Sequence, residues 1–344
     1  VRKKPDRWRN DMDLGILATK LVPKSLRQAL RESLRIVLQE ELRAILEEDV
    51  RRINTRLTAL EMEISEQGRL LRSGSDPGSE GGRETTSGRK PRKDVYATPK
   101  TIVDLGECYF YHTCDIPGYG HVEGEWDLRQ HEHEYLGGVG FKGKRVLEVG
   151  TASGFLCFHM ESLGAEVVAY DLSEDYSWDV VPFSRYDHRQ MASDFKEHIR
   201  QLNNSFWLCR RAHHSNAKMV HGTVYDIPRE IGLVDISVFS SVLLHVRDPF
   251  LALQSALQLT KETVIVAEPL PGDLTGPYQE FLPEFSTCEP KMTWWNLSPE
   301  TIIRFVGVLG FEETQVKHHS QTFSAEGVQV PYYTVIGHRT QGIR

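Results

Sequence analysis

The sequence has no C-x-x-C pair, and its five cysteines (Cys108, Cys114, Cys157, Cys209 and Cys288) are an odd number spread along the chain. That argues against a disulfide framework or a paired-thiol zinc knuckle and suits a reducing cytoplasm. No apolar run approaches the roughly 20 residues of a membrane-spanning helix. The opening residues lack the pattern of a secretory leader. Also missing are the G-x-S-x-G elbow of hydrolases, a Walker loop, and clustered acids or histidines with metal-ligand spacing. No metal is expected, and a soluble cytoplasmic protein is.

Positive charge is scarce outside one end. Residues 1–93 carry 21 Lys/Arg against 15 Asp/Glu, whereas the remainder carries 20 against 33. An acidic body holds a phosphate backbone poorly, because such binding relies on Lys and Arg. A nucleic-acid substrate is therefore disfavoured.

What is present begins with a long helical pattern. Residues 25–71 contain no proline, and their first glycine is Gly68. Leu46, Val50, Ile53, Leu57, Leu60 and Ile64 step by four and three, the seam of a coiled coil. Leu26, Leu30, Leu34, Leu38 and Leu42 step by four, so the stripe drifts there. Residues 1–72 are read as a helical or coiled-coil segment that pairs with a second copy or lies on a partner. A plainer alternative is an amphipathic helix packed on its own body. Trp8 and the Leu14–Leu17 patch also allow peripheral contact with a membrane surface. Residues 73–93, rich in Gly and Ser with no large apolar side chain, read as a flexible linker. The body is 94–344.

Within the body, Lys144-Arg145-Val146-Leu147-Glu148-Val149-Gly150-Thr151-Ala152-Ser153-Gly154-Phe155 joins a buried strand to a helix through a glycine-bearing turn. Ser153 is placed to cap that helix. A dinucleotide site would need Gly at 152 and 155, where Ala152 and Phe155 stand. A second strand ends in Asp171, where a carboxylate can accept from ribose hydroxyls. Further strands are expected at 218–224, 234–245 and 263–268, and two more near 312–318 and 332–338. A helix is expected from Ser298 to Leu309. The loop 269–297 holds five prolines, too many for a regular element, and the first half of residues 173–215 reads as a lid. The aromatic stretch 109–121, followed by a helix through Leu136, reads as a cap over the strand ends. His112, Cys114 and His121 within it match no zinc spacing.

The order of these features resembles class I S-adenosylmethionine (SAM) methyltransferases over about 105–340. An acid and glycine turn (Glu148, Gly150, Gly154) leads to Asp171, then Tyr225-Asp226-Ile227, Ser240 to His245, and Gly310-Phe311 before two closing strands. Trp126-Asp127-Leu128-Arg129 and Leu243-Leu244-His245-Val246-Arg247-Asp248-Pro249 look similar to bacterial small-molecule and glycan methyltransferases. They are similar also to the group that completes the carboxymethoxy modification of tRNA wobble uridine. The resemblance implies an α/β fold with a Rossmann-like seven-stranded sheet, and SAM as cofactor. It implies that Glu148 and the turn Gly150, Thr151, Ala152 and Gly154 hold the methionine moiety. Asp171 with Leu172 would then hold the ribose, Asp226 with Ile227 the adenine, and Ser240 to Val242 would line the floor near the sulfonium.

For a hydroxyl acceptor, His245 is the candidate base. It could equally fix the loop after its strand. Tyr111 and Arg129 are candidates for orienting the substrate, with His112 and His121 as further bases. Trp294 and Trp295 either stack on an acceptor ring or pack internally. The expected function is methyl transfer to a small-molecule or glycan acceptor by a homo-oligomer. The alternatives are a tRNA-modifying enzyme and a SAM-binding scaffold without catalysis.

Overall fold

The structure, a computed structural model, describes residues 95–185, 188–272, 275–324 and 327–343. The expected N-terminal helix and linker lie outside them. No helix among the described residues is long and apolar enough to cross a membrane.

The cap comes first in the chain. Strands β1 (Cys114–Ile116) and β2 (Gly120–Val122) form an antiparallel hairpin. Strand β3 (Trp126–Asp127) and the one-turn helix α1 (Glu132–Tyr135) follow. Strands then alternate with helices: β4 (Arg145–Val149), α2 (Phe155–Ser162), β5 (Glu166–Asp171), α3 (His188–Ala212), β6 (Lys218–His221), β7 (Val234–Ser240), α4 (Pro249–Leu257) and β8 (Thr260–Pro269). A small hairpin of β9 (Gln279–Phe281) and β10 (Trp295–Leu297) precedes α5 (Pro299–Val308), β11 (Glu313–Phe323) and β12 (Val328–His338).

The main sheet runs β3-β11-β12-β8-β7-β4-β5-β6. Its β8-β7-β4-β5-β6 stretch is parallel, and β12, β11 and β3 are added antiparallel. The pattern that wrote these strands is a run of Val, Ile and Ala bounded by turn residues. Such a run suits a strand covered on both sides. Val146, Ala169, Val238 and Ile265 enter one buried cluster with α2, α3 and the cap. Their chain neighbours Leu147, Val168, Phe239 and Val266 enter the other, with α4 and α5.

The sheet has eight strands rather than seven. The additional one is β3, two residues pairing with Thr322 and Phe323 at the far edge. The helix expected through Leu136 is a single turn, because Gly137 and Gly138 both take positive φ and end it. The strand expected through His245 stops at Ser240, where Ser241 turns to φ 54°. His245 instead closes a 3-10 turn, Leu243–His245. The closing strands are longer than expected, 11 residues each, because they pair along their whole length. The region 269–297 is mostly irregular, as its prolines require, but it also holds the β9–β10 hairpin.

Candidate functional site

The strand order reverses between β4 and β7, and in open α/β sheets ligands bind beyond the carboxyl ends at that point. Two turns meet there. Gly150 has φ 78°, and a Cβ on it would stand 2.4 Å from Val242 Cγ2. Only glycine serves both the φ and the close approach of the turn after β7. Gly154, at φ 87°, starts α2, and a Cβ there would meet Phe158 at 2.5 Å. The helix N-cap is therefore Gly154 and not Ser153, whose hydroxyl is buried without a partner. The reason is register: Gly154 N–H already donates to Thr151 O at 2.8 Å, which puts Ser153 inside the turn.

Glu148 is 1% exposed at the end of β4 and accepts from Thr151 Oγ1 at 2.6 Å. Burial, with the Asp171 charge adding to it, pushes its carboxyl up to about 8. Asp171 accepts from Ala152 N (2.7 Å) through one oxygen and from Leu172 N (2.7 Å) through the other. These bonds explain why Ala152, at φ 48°, tolerates the left-handed region. Burial raises the Asp171 carboxyl too, against those two donors. Each of its oxygens keeps a lone pair for a further donor.

Asp226 is exposed beyond β6. Ile227 is buried in the core behind it, its N–H held by Ser255 Oγ at 2.7 Å. Ser240 Oγ, at the end of β7, is buried and closes no hydrogen bond. The turn cradle, the acids at 148, 171 and 226 and the unsatisfied Ser240 hydroxyl fit a cationic sulfur nucleoside.

Beyond β7 the structure brings Ser241 together with two tyrosines that the sequence did not single out. Tyr135 Oη lies 3.1 Å from Ser241 Oγ, which lies 3.3 Å from Tyr332 Oη. Trp126 and His319 border the Tyr332 ring at 5.5 and 5.8 Å. Tyr111 lies close enough for Tyr332 to raise its phenol, after burial, which acts first. Glu268, 1% exposed at the end of β8, accepts from Leu243 N at 2.8 Å and leaves Oε2 without a partner. Burial pushes it up to about 8. One signal could have found Tyr332 and Glu268, namely a polar side chain ending a run of buried strand residues.

His245 donates from Nδ1 to Met292 O at 2.9 Å, which leaves Nε2 with its lone pair. Burial lowers its pKa, so the ring is neutral. His112 is 7% exposed and lowered to about 4 by burial, its Nδ1 unpartnered. Arg129 lies in the cap beside the β1–β2 hairpin. It grips Asp127 through Nε (2.9 Å) and Nη2 (2.8 Å), and reaches Asp115 at 3.0 Å and His121 at 3.2 Å. It lines a cavity of about 690 Å³ with Tyr109, Glu125 and Asp127.

A strap crosses the strand ends. Asp179 accepts from Arg247 N (2.9 Å) and from the Tyr225 hydroxyl, and its carbonyl accepts from Trp294 Nε1 at 2.6 Å. Val181 N donates to Lys291 O at 2.9 Å. Trp295 Nε1 donates to Val246 O at 3.0 Å. Both tryptophans are thus tied to backbone, and Arg247 lies 5.2 Å over the Trp294 ring. No metal-binding group of three or more His, Cys, Asp or Glu occurs among the described residues.

A comparison with curated proteins finds no match. Solved structures of similar arrangement include the N-terminal domain of EvdMO1 with SAH bound, at 16% identity and TM-score 0.40, covering 67% of this chain and 91% of that one. Another is magnesium protoporphyrin IX methyltransferase (ChlM) from Synechocystis PCC 6803 with bound SAH, at 12% and 0.40, covering 62% and 82%. A third is Burkholderia thailandensis 1,6-didemethyltoxoflavin-N1-methyltransferase, at 12% and 0.38, covering 62% and 78%. Residues 121–309, from β2 through α5, match the family model described as a methyltransferase domain, and the chain belongs to that family.

Proposed function

We propose that this protein transfers a methyl group from SAM to a hydroxyl of a small-molecule or glycan acceptor. The observation that carries the reading is the pairing of the Gly150–Val242 cradle with three acids, Glu148 and Asp171 at the ends of β4 and β5 and Asp226 beyond β6. Bound SAM supplies an electrophilic methyl on a sulfonium, whose positive charge is lost on transfer. Glu148 binds the ammonium of the methionine moiety once its proton is released, and the amides of the glycine turn receive the carboxylate. Asp171 orients the ribose, and Asp226 meets the adenine amino group. The Tyr135–Ser241–Tyr332 hydroxyls position the acceptor oxygen, and His245 Nε2 takes its proton. The strap from Asp179 to Trp294 keeps water from the crevice.

The N-terminal helix supports oligomerisation in this reading, and the enzyme works in the cytoplasm, where its unpaired cysteines are stable. The test is incubation of the full chain with methyl-labelled SAM and fractionated extract. Label in small molecules or glycans is expected, while label confined to nuclease-sensitive tRNA refutes the acceptor class. Calorimetry with SAM and its demethylated product separates failure of the acceptor from failure of the cofactor site.

A further inference from the structure

The cap and α3 share an interface with a particular register. Ser205 Oγ, on α3, donates to Tyr109 O at 2.5 Å, and Arg211 Nη2 donates to the Tyr119 hydroxyl at 2.5 Å. Between these two fastenings lie Cys114 in the middle of the cap segment and Cys209 on the facing stretch of α3. Both are buried, 7% and 3% exposed, and both are free thiols of the same buried cluster. Both also line one cavity of about 210 Å³, whose other walls include Ser153 and Phe155 of the turn and helix after β4, with His159 and His213. Cys157 is buried too, but it does not line that cavity.

We infer that Cys114 and Cys209 form an oxidisable dithiol, a modification site at which a hydroperoxide closes a disulfide between the β1–β2 hairpin and α3. The cavity admits the oxidant, and the paired fastenings hold the two backbones face to face. The thiols are not equivalent. The Cys209 thiol, the largest influence, holds Cys114 below the ordinary value, with Arg129 adding to this and burial and Asp115 opposing it. Cys209 is pushed up in turn by the same partner and by burial.

Cys114, whose chain neighbour Asp115 holds the Arg129 guanidinium at 3.0 Å, is assigned as the attacking thiolate and Cys209 as the resolving thiol. The Cys114 sulfur attacks the peroxide O–O bond, forming a Cys114 sulfenic acid and releasing one water. The Cys209 sulfur then displaces the sulfenic oxygen as a second water. Two thiols and one hydrogen peroxide thus give one disulfide and two waters, with the two electrons passing to the peroxide. The disulfide closes over 94 intervening residues and fastens the cap to α3 beside the glycine turn.

The test treats the reduced full chain with one equivalent of hydrogen peroxide, blocks remaining thiols with iodoacetamide and maps the peptides. The expected result is a loss of 2 Da, a Cys114–Cys209 cross-linked peptide, and Cys108 still alkylated. C209S is expected to leave Cys114 as a sulfenic acid that dimedone traps. The wild-type mapping stands even where that variant does not fold. Recovery of Cys114 and Cys209 as alkylated thiols while Cys108, Cys288 or methionine is oxidised would overturn the inference. So would a disulfide from Cys108 to either of them.

Discussion

Replacing Glu148 by glutamine tests the site through its protons. Burial raises the Glu148 carboxyl from 4.5 to about 8, so the folded protein holds a proton that the unfolded chain has released at pH 5–8. A group whose folded value lies above its unfolded value makes stability fall as pH rises between the two. The slope is about 1.4 kcal/mol per pH unit, and it levels off above the folded value. Glutamine keeps the shape and still accepts from Thr151 Oγ1, but it does not titrate. On going from pH 5.5 to 7.5, Glu148→Gln should therefore gain about 2–3 kcal/mol on the wild type.

For a domain of this size that is a relative rise in Tm of about 5–10 °C. Glu268, raised similarly, titrates in both proteins and cancels in the difference. The assay is thermal unfolding of both full chains across that pH range, with calorimetry for SAM alongside. Wild-type affinity should strengthen up to tenfold per pH unit toward pH 8, since binding must remove the proton, while the variant binds weakly and evenly. Parallel stability curves over pH 5.5–7.5 would refute the buried, protonated Glu148 and the role argued from it.

Gly150→Ala should lower stability by about 2–4 kcal/mol, from the left-handed backbone and from overlap with Val242, and SAM binding should be lost with it. Denaturant titration checks this, and Val242→Ala in the same chain should recover only the overlap portion. Tyr135→Phe removes the hydroxyl that meets Ser241, and kcat should fall about tenfold or more with the Kd for SAM unchanged. His245→Asn should cut kcat by about 100-fold. Because burial lowers the wild-type histidine, its contribution should persist as pH falls through 6.5 and vanish only at lower pH. Asp179→Asn should loosen the strap and weaken SAM binding several-fold by calorimetry, with little change in Tm.

The parallel core was legible because its signal is local. Val146 to Val149 and Thr263 to Glu268 are short β-branched runs, each buried on both sides, and turn residues bound them. The glycine turn was legible for the same reason, since φ preference belongs to a single residue. Asp248 caps α4 ahead of Pro249, accepting from Leu251 N at 2.9 Å, again a local signal.

The Tyr135–Ser241–Tyr332 cluster was not legible as a cluster. Tyr135 and Tyr332 stand nearly two hundred residues apart, and only their meeting at Ser241 shows that they belong together. Arg129 was assigned to the substrate on its motif, yet Asp127 two residues earlier and Asp115 across the hairpin already hold it. The edge strand β3 escaped notice because two residues carry no periodicity, and only pairing with Thr322 and Phe323 makes them a strand.

Asp179 fastens three separate stretches of chain at one residue: the Tyr225 hydroxyl, the Arg247 amide and the Trp294 indole. The carboxylate holds the first two and the backbone carbonyl the third, so the latch opens fully only when the main chain of Asp179 moves along with its side chain. Whatever enters the nucleoside crevice and whatever leaves it then pass through the same door. Turnover would be paced by how often that door swings, and an inhibitor that wedged it shut would trap spent nucleoside inside.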